Sequence, residues 1–454
     1  MNKNKIIILV IFWIILLWVL WLVTSLNSDK NSWNNTSSNI KQYSIWMYQD
    51  AVTPMEEVVE NFKSKFPEYK NTQINIETFN DYEEYTLALT SAFAKEKWPD
   101  LFTINNSDSS TLLVDYTFWI DPKIVNPNDF RKRYNNVFSQ DLIWSIVDET
   151  SQEPENIEFL QGIPVWYETL GIFYSRAKRL KQTDFDSISS LKSAITRMRE
   201  LYPNNIPLGM GNGSTVEMVW EIISQFFLFE ENITSIAQVT DGKMKAALNW
   251  YMIFGDEQWE NAYNKRFADM VLLDQNNVDL FARGEIAMIA GFPRLVKQID
   301  EKWFRKSLLA AESFPFYFNT SGATSVNYNY FVKSKNLDNQ DLSNALLQYF
   351  MSDSWAEAFL DAYDYYLPAL LSLEDTMLNE EILDGYNITL NDFYNPQHPL
   401  VTFDKAIVNK FDENIIWVLD NPNNYIDNFW DFQDEILCSQ KKYSTLENLS
   451  IDCK

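Results

Sequence analysis

The chain has 454 residues, room for two or three domains, and its 46% apolar and 22% charged composition is that of a globular protein. Its formal net charge of −26 argues against nucleic acid as a partner, which requires a basic surface; it leaves a cationic ligand conceivable. A single histidine, His398, excludes multi-histidine metal sites, and no Gly-x-Ser-x-Gly elbow accompanies it for a serine triad, so no metal or cofactor is implied.

Lys3 and Lys5 precede Ile6 to Val23, 18 consecutive apolar residues. As a helix this run spans about 27 Å at 1.5 Å per residue, close to the hydrocarbon thickness of a bilayer. Positive charge ahead of it places the N-terminus inside and the rest outside. Val23-Thr24-Ser25 is a poor match to a small-residue cleavage site, so residues 1–25 read as a membrane anchor, or as a secretion signal if cut. Residues 26–41, dominated by Asn and Ser, read as a flexible linker.

Two β-α units follow. Gln42 to Tyr48 predicts a strand, and Met55, Val58, Val59, Phe62 and Phe66 line one face of a helix that Pro67 ends. Gln73 to Thr78 alternates as a second strand. Asp81 caps a helix carrying Tyr85, Leu89 and Phe93, and Leu101 to Ile104 is a third strand. Strands alternating with helices predict a mainly parallel, doubly wound sheet, with ligand beyond the carboxyl ends of the strands. That rim holds Gln49, Asp50, Asn80, Asp81 and the loop from Asn105 through Asp108 to Ser109.

Leu112 to Asp148 reads as helical with proline breaks, and Glu149 to Glu155 as an acidic loop. Gly162 and Pro164 then mark a turn ahead of Tyr167, Glu168 and a run of β formers from Leu170 to Tyr174. A buried carboxylate is costly without a partner, so Glu168 is either paired in the core or kept for a ligand. Ser187 to Leu201, Val216 to Phe229 and Lys243 to Phe254 predict helices. Gly284 and Gly291 bracket a buried strand. Ser313 to Phe318 and Ser325 to Val332 read as strands, Leu342 to Tyr363 as a helix pair, and Tyr365 to Ala369 as a loop. Cys438 and Cys453 could close a short loop in an oxidising compartment, which spacing alone does not prove.

Glycine is unusually scarce, 11 of 454 or about 2.4% against a typical 7%, while tryptophan reaches 16. Several tryptophans stand where glycine makes physical sense: Trp98 at a helix end, Trp355 opening a helix, and Trp13, Trp18 and Trp21 inside the apolar run rather than at its edges. These features suggest that UGA codons read as glycine in the source have been translated as tryptophan. The alternative is a genuinely tryptophan-rich protein.

Six ordered landmarks carry a resemblance over roughly residues 42 to 370. They are Trp46-Met47-Tyr48; Phe62 to Pro67; Trp98-Pro99-Asp100-Leu101; Gly162-Ile163-Pro164 through Leu170 to Tyr174; Phe281 through Gly284 to Met288; and Tyr366-Leu367-Pro368-Ala369. In this order and spacing the chain resembles family 1 extracellular solute-binding proteins, the sugar-capturing, maltodextrin-binding-like subunits of ABC importers. The resemblance implies a two-lobed periplasmic-binding-protein-like (type II) α/β fold. One lobe would comprise residues 42–169 and 319–352, the other 170–318 and 353–454. It implies a non-enzymatic protein at the outer face of the cytoplasmic membrane that captures a saccharide and delivers it to permease subunits. Implied ligand contacts are Tyr48, Gln49, Asp50, Asn105, Asp108, Tyr167, Glu168, Phe292, Tyr328, Tyr330 and Tyr365. The chain lacks the family's lipid-attachment cysteine, which the apolar helix replaces. A polyamine ligand on the same fold and an anchored glycoside hydrolase using Glu168 with Asp108 are the competing readings; a sensor ectodomain lacks an output domain.

Overall fold

The computed structural model describes residues 42–48, 53–79, 82–106, 116–148, 155–209, 225, 277–315, 324–337, 339–360, 365–379, 381–383, 385–394 and 400–401. The apolar run at 6–23, His398 and both cysteines lie outside them. Among the described residues no helix is long and apolar enough to cross a membrane.

The chain opens with β1 (Gln42–Tyr48), α1 (Thr53–Lys65), β2 (Gln73–Phe79), α2 (Tyr82–Ala94) and β3 (Leu101–Asn105). The helical faces form as their spacing dictates: Met55, Val58, Val59 and Phe62 of α1 are buried, as are Tyr85, Leu89 and Phe93 of α2. Next come β4 (Thr117–Phe118), α3 (Pro127–Arg133), α4 (Asn136–Leu142), β5 (Ile143–Asp148) and β6 (Glu155–Leu160). Asn126 and Asn135 cap α3 and α4 through side-chain oxygens that accept from Asn128 N and Val137 N. The helical expectation for 112–148 therefore holds only in part. Ile143, Ile146 and Val147 are β-branched and favour extended backbone, and β5 pairs antiparallel with β6 across the acidic loop.

Then follow β7 (Ile163–Pro164), β8 (Trp166–Thr169), β9 (Gly171–Ser175), α5 (Ile188–Leu201), β10 (Ile206–Gly209), α6 (Asn277–Ala282), β11 (Ile286–Gly291), α7 (Leu295–Glu301) and β12 (Leu309–Ser313). Gly284, at φ +77°, makes the turn from α6 into β11. Of the strand expected at 313–318, Ser313 ends β12, which starts at Leu309 with Leu309, Ala310 and Ala311 buried against β9, and residues 316–318 lie outside the described ones. The described residues continue through β13 (Thr324–Asn327), β14 (Asn329–Ser334), α8 (Gln340–Phe350), α9 (Asp353–Leu360), β15 (Leu367–Pro368), α10 (Leu371–Met377) and β16 (Leu400–Val401). The strand expected at 325–332 is thus two, broken at Tyr328.

Besides the β5-β6 pair, three sheets result, the third built of shorter strands than the other two. The first runs β2-β1-β3-β14-β4, with β7 also on β14; the second runs β10-β11-β9-β12; the third runs β15-β8-β13-β16. The sheets are mixed rather than mainly parallel. β1 and β3 are parallel, as are β10 and β11, but β14 and β9 run antiparallel to their neighbours. The reason is connectivity: β9 and β14 enter their sheets directly from the third sheet, without a crossover helix to reverse them. Residues 163–175 pass through all three sheets, from β7 in the first through β8 to β9 in the second. β12, β13 and β14 make the return passage, from the second sheet through the third to the first.

Candidate ligand site at the crossovers

Where the two passages meet, β8 and β13 pair antiparallel, setting Glu168 opposite Asn327 and Thr169 opposite Val326. Asn105, the last residue of β3, donates through Nδ2 to Asn327 Oδ1 at 2.7 Å and to Asn329 Oδ1 at 3.0 Å. Asn106 follows, its Oδ1 accepting from Tyr328 N at 2.8 Å and its Nδ2 donating to Val326 O at 3.3 Å. The carboxyl end of β3 is thereby fastened to the break between β13 and β14.

Aromatic rings gather beside this amide network. Phe138 lies edge-on to Tyr328, centroids 4.9 Å apart, and to Tyr167 at 5.7 Å, while Tyr330 is 5.7 Å from Tyr328. Tyr328 donates its hydroxyl to Asp141 Oδ2 at 2.6 Å, and Tyr167 donates to Glu374 Oε1 at 3.3 Å. Burial first, then the facing Asp141 or Glu374 carboxylate, pushes both phenols well above their ordinary range, so both stay protonated donors.

The Glu168 carboxylate is wholly buried and lies 3.4 Å from Arg294 Nη1. Arg294 follows the turn after β11, and its guanidinium carbon is 5.5 Å from the Phe292 ring centroid. Among the sequence candidates, then, Asn105, Tyr167, Glu168, Tyr328 and Tyr330 come together at the crossovers. Phe292, itself buried, joins them through Arg294. Tyr365 belongs to a neighbouring stack, 4.6 Å from Tyr366, which lies flat on Trp166 at 3.9 Å. Tyr48 sits apart at the end of β1, packed on Tyr82 and Tyr85. Gln49, Asp50 and Asp108 lie outside the described residues. Sequence reading missed Arg294, Asn327, Asn329, Asp141 and Glu374. Only Arg294 had a local cue, its place just past a Gly-Phe-Pro turn at a strand's end.

The passage from β8 to β9 is clasped by residues 390–394. Thr169 Oγ1 donates to Phe393 O at 2.6 Å, and the Phe393 ring lies on Gly171, leaving no room for a β-carbon. Beside this clasp Glu312 of β12 accepts from Gln182 Nε2 at 3.3 Å. Burial, then the neighbouring Asp392, outweighs Gln182 and Arg176 and holds the Glu312 carboxyl up at about 7.

A sequence profile for bacterial extracellular solute-binding proteins matches residues 57–382. The chain belongs to that family. The family is one of binding proteins rather than enzymes, and its members work outside the cytoplasm. Among curated proteins none is significantly similar in sequence. Among solved structures, the sugar-binding protein of Xanthomonas citri superposes with a TM-score of 0.65 at 17% identity, covering 88% of this chain and 98% of that one. An ABC substrate-binding protein of Listeria monocytogenes in complex with cycloalternan gives 0.61 at 14%, covering 88% and 99%. A solute-binding protein of Thermotoga lettingae bound to α-D-tagatose gives 0.61 at 14%, covering 87% and 100%. At these identities the likeness establishes a shared fold.

Proposed function

We propose that this family member captures an uncharged saccharide between two hinged lobes and hands it to an ABC permease. The reading rests most on one observation: two strand passages and β15 join in the third sheet, between the first two, beside a polar and aromatic cluster. Lobe one is built on the first sheet and lobe two on the second. Helix α9, expected with lobe two, goes with lobe one, because Trp355 stacks on Phe350 and meets Phe331 of β14. A pyranose offers apolar faces to rings and hydroxyls to amides, and lobe closure strengthens those hydrogen bonds by excluding water. The structural relatives include proteins described as sugar-binding or bound to a saccharide, which supports the same choice.

A polyamine is disfavoured. It needs a carboxylate left to meet an ammonium group, whereas Glu168, the buried acid at the crossovers, faces Arg294 within this chain. The same ion pair removes Glu168 from service as a hydrolase acid. The protein is held at the membrane by residues 6–23. A thermal-shift screen of residues 41–454 against neutral di- and trisaccharides and spermidine tests the ligand class, since a ligand that binds the folded state raises the melting temperature. Stabilisation by spermidine alone would end the sugar reading.

The same proposal includes glycine decoding. Trp303 has φ +60° and a side chain 94% exposed, just past the end of α7, the left-handed position that helices reserve for glycine. Trp355 buries its indole N–H without an acceptor among the described residues. Trp98 supports it less than its sequence suggests, because the left-handed residue after α2 is Glu96, at φ +55°. Peptide masses of the native protein at 303 and 355 decide the matter, and tryptophan at both would end it.

A further inference from the structure

We propose that Arg294, aimed by Glu168, is the residue that selects an uncharged polyhydroxylated ligand over a cationic one. The inference rests on the sugar-binding reading and adds a specificity determinant to it. Arg294 ends the turn that leaves β11 and stands at the N-cap of α7, and β11 lies next to β9 in the second sheet. Its guanidinium reaches back to the strand that links the sheets, with Nη1 3.4 Å from the Glu168 carboxylate. Sheets of this kind bind ligands beyond the carboxyl ends of their strands, and Arg294 occupies that place at β11 while touching the hinge.

The two halves of the pair differ in exposure. The Glu168 side chain is fully buried, whereas 21% of the Arg294 side chain reaches solvent. Of the two, only the guanidinium is open to an incoming ligand. The Phe292 ring, 5.5 Å away, braces the guanidinium on another side. A guanidinium held in this way presents a rigid fork of donors, suited to a pair of hydroxyl oxygens. Ammonium groups meet like charge at the same point, because the guanidinium is the exposed member of the pair. Glu168 acts as a positioning residue: it holds the guanidinium from behind and does not itself touch the ligand.

The experiment measures melting temperature and affinity side by side on the full chain. The probe is whichever sugar of a panel of neutral di- and trisaccharides, maltotriose included, most stabilises the unaltered protein; spermidine is the cationic control. Arg294→Lys keeps a cation beside Glu168 and removes the fork. It is expected to hold the melting temperature within a few degrees and to weaken the sugar about 10- to 100-fold, the loss of one or two charge-assisted hydrogen bonds. The exchange Glu168→Arg with Arg294→Glu keeps an ion pair and is expected to lose affinity, because the fork then starts from the wrong strand; undiminished affinity in it overturns the inference. If the exchanged protein does not fold, Glu168→Gln with Arg294→Gln replaces the pair by neutral amides and is expected to lose affinity in the same way. Undiminished sugar binding in Arg294→Lys or in the double-glutamine protein overturns the inference while leaving the sugar reading standing. Failure of every sugar to stabilise the unaltered protein, or binding of spermidine instead, overturns the sugar reading and this inference with it.

Discussion

Replacing Trp303 by glycine should stabilise the protein as its sequence is written. An L-residue in the left-handed helical region costs roughly 1–2 kcal/mol. Trp303 bears that cost at φ +60°, following α7 with its N–H donated to Asp300 O at 2.9 Å. The indole is 94% exposed, so its removal forfeits almost no apolar burial. Glycine gives back roughly 0.5–1 kcal/mol through the greater freedom of its unfolded chain. The balance is a gain of about 0.5–1 kcal/mol, or about 1–2 °C in melting temperature for a chain of this size. Urea unfolding followed by fluorescence and circular dichroism measures it, with Trp303→Ala as control. Alanine removes the same indole but keeps the β-carbon in the strained region. An alanine variant as stable as the glycine variant would refute the backbone argument.

Three other perturbations test the structure around the crossovers. Gly171→Ala drives a β-carbon into the Phe393 ring and should cost about 1–3 kcal/mol in urea unfolding, partly recovered when Phe393→Ala is added. Tyr328→Phe removes the donor to Asp141 and should cost about 1.5–3 kcal/mol, with an unchanged unfolding slope as the check that only stability moved. Glu312 is held up at about 7 against an ordinary 4.5, so between those values the folded state binds the proton more tightly than the unfolded one. Its contribution is therefore greatest below about pH 4.5 and is lost as pH rises to 7. Glu312→Gln should abolish that slope and, at pH 8, exceed the parent by on the order of 1 kcal/mol, a figure reduced for partial exposure; an unaltered pH profile would refute it.

Much of the scaffold was legible because local patterns and tertiary packing agree. The buried faces of α1 and α2 follow helical spacing, and Gly284 marks the turn into β11 as a glycine should. Where prediction slipped, a non-local partner decided the outcome. β5 is extended because β6 lies beside it, and the strand at 325–332 breaks at Tyr328 because Asn106 takes both of that residue's backbone hydrogen-bonding groups. Of the aromatic candidates, Tyr48 packs on Tyr82, Tyr365 on Tyr366, and Phe292 lies beside Arg294, contacts that no local pattern in the sequence announces.

Charge is the case in which the sequence points furthest from the site. A net charge of −26 made a cationic ligand reasonable, but that figure sums a whole surface and says nothing about which carboxylates face each other. At the crossovers, Glu168, Asp141 and Glu374 each meet a donor brought from far along the chain: Arg294, Tyr328 and Tyr167. No spacing rule reveals such pairs, since each joins different strands or helices. The amides of Asn105, Asn327 and Asn329 stand beside the rings with these pairs. On the proposed sugar-binding reading, selectivity for an uncharged solute depends on long-range pairing and not on composition, and changing one member of a pair should alter the ligand class more than changing many surface acids.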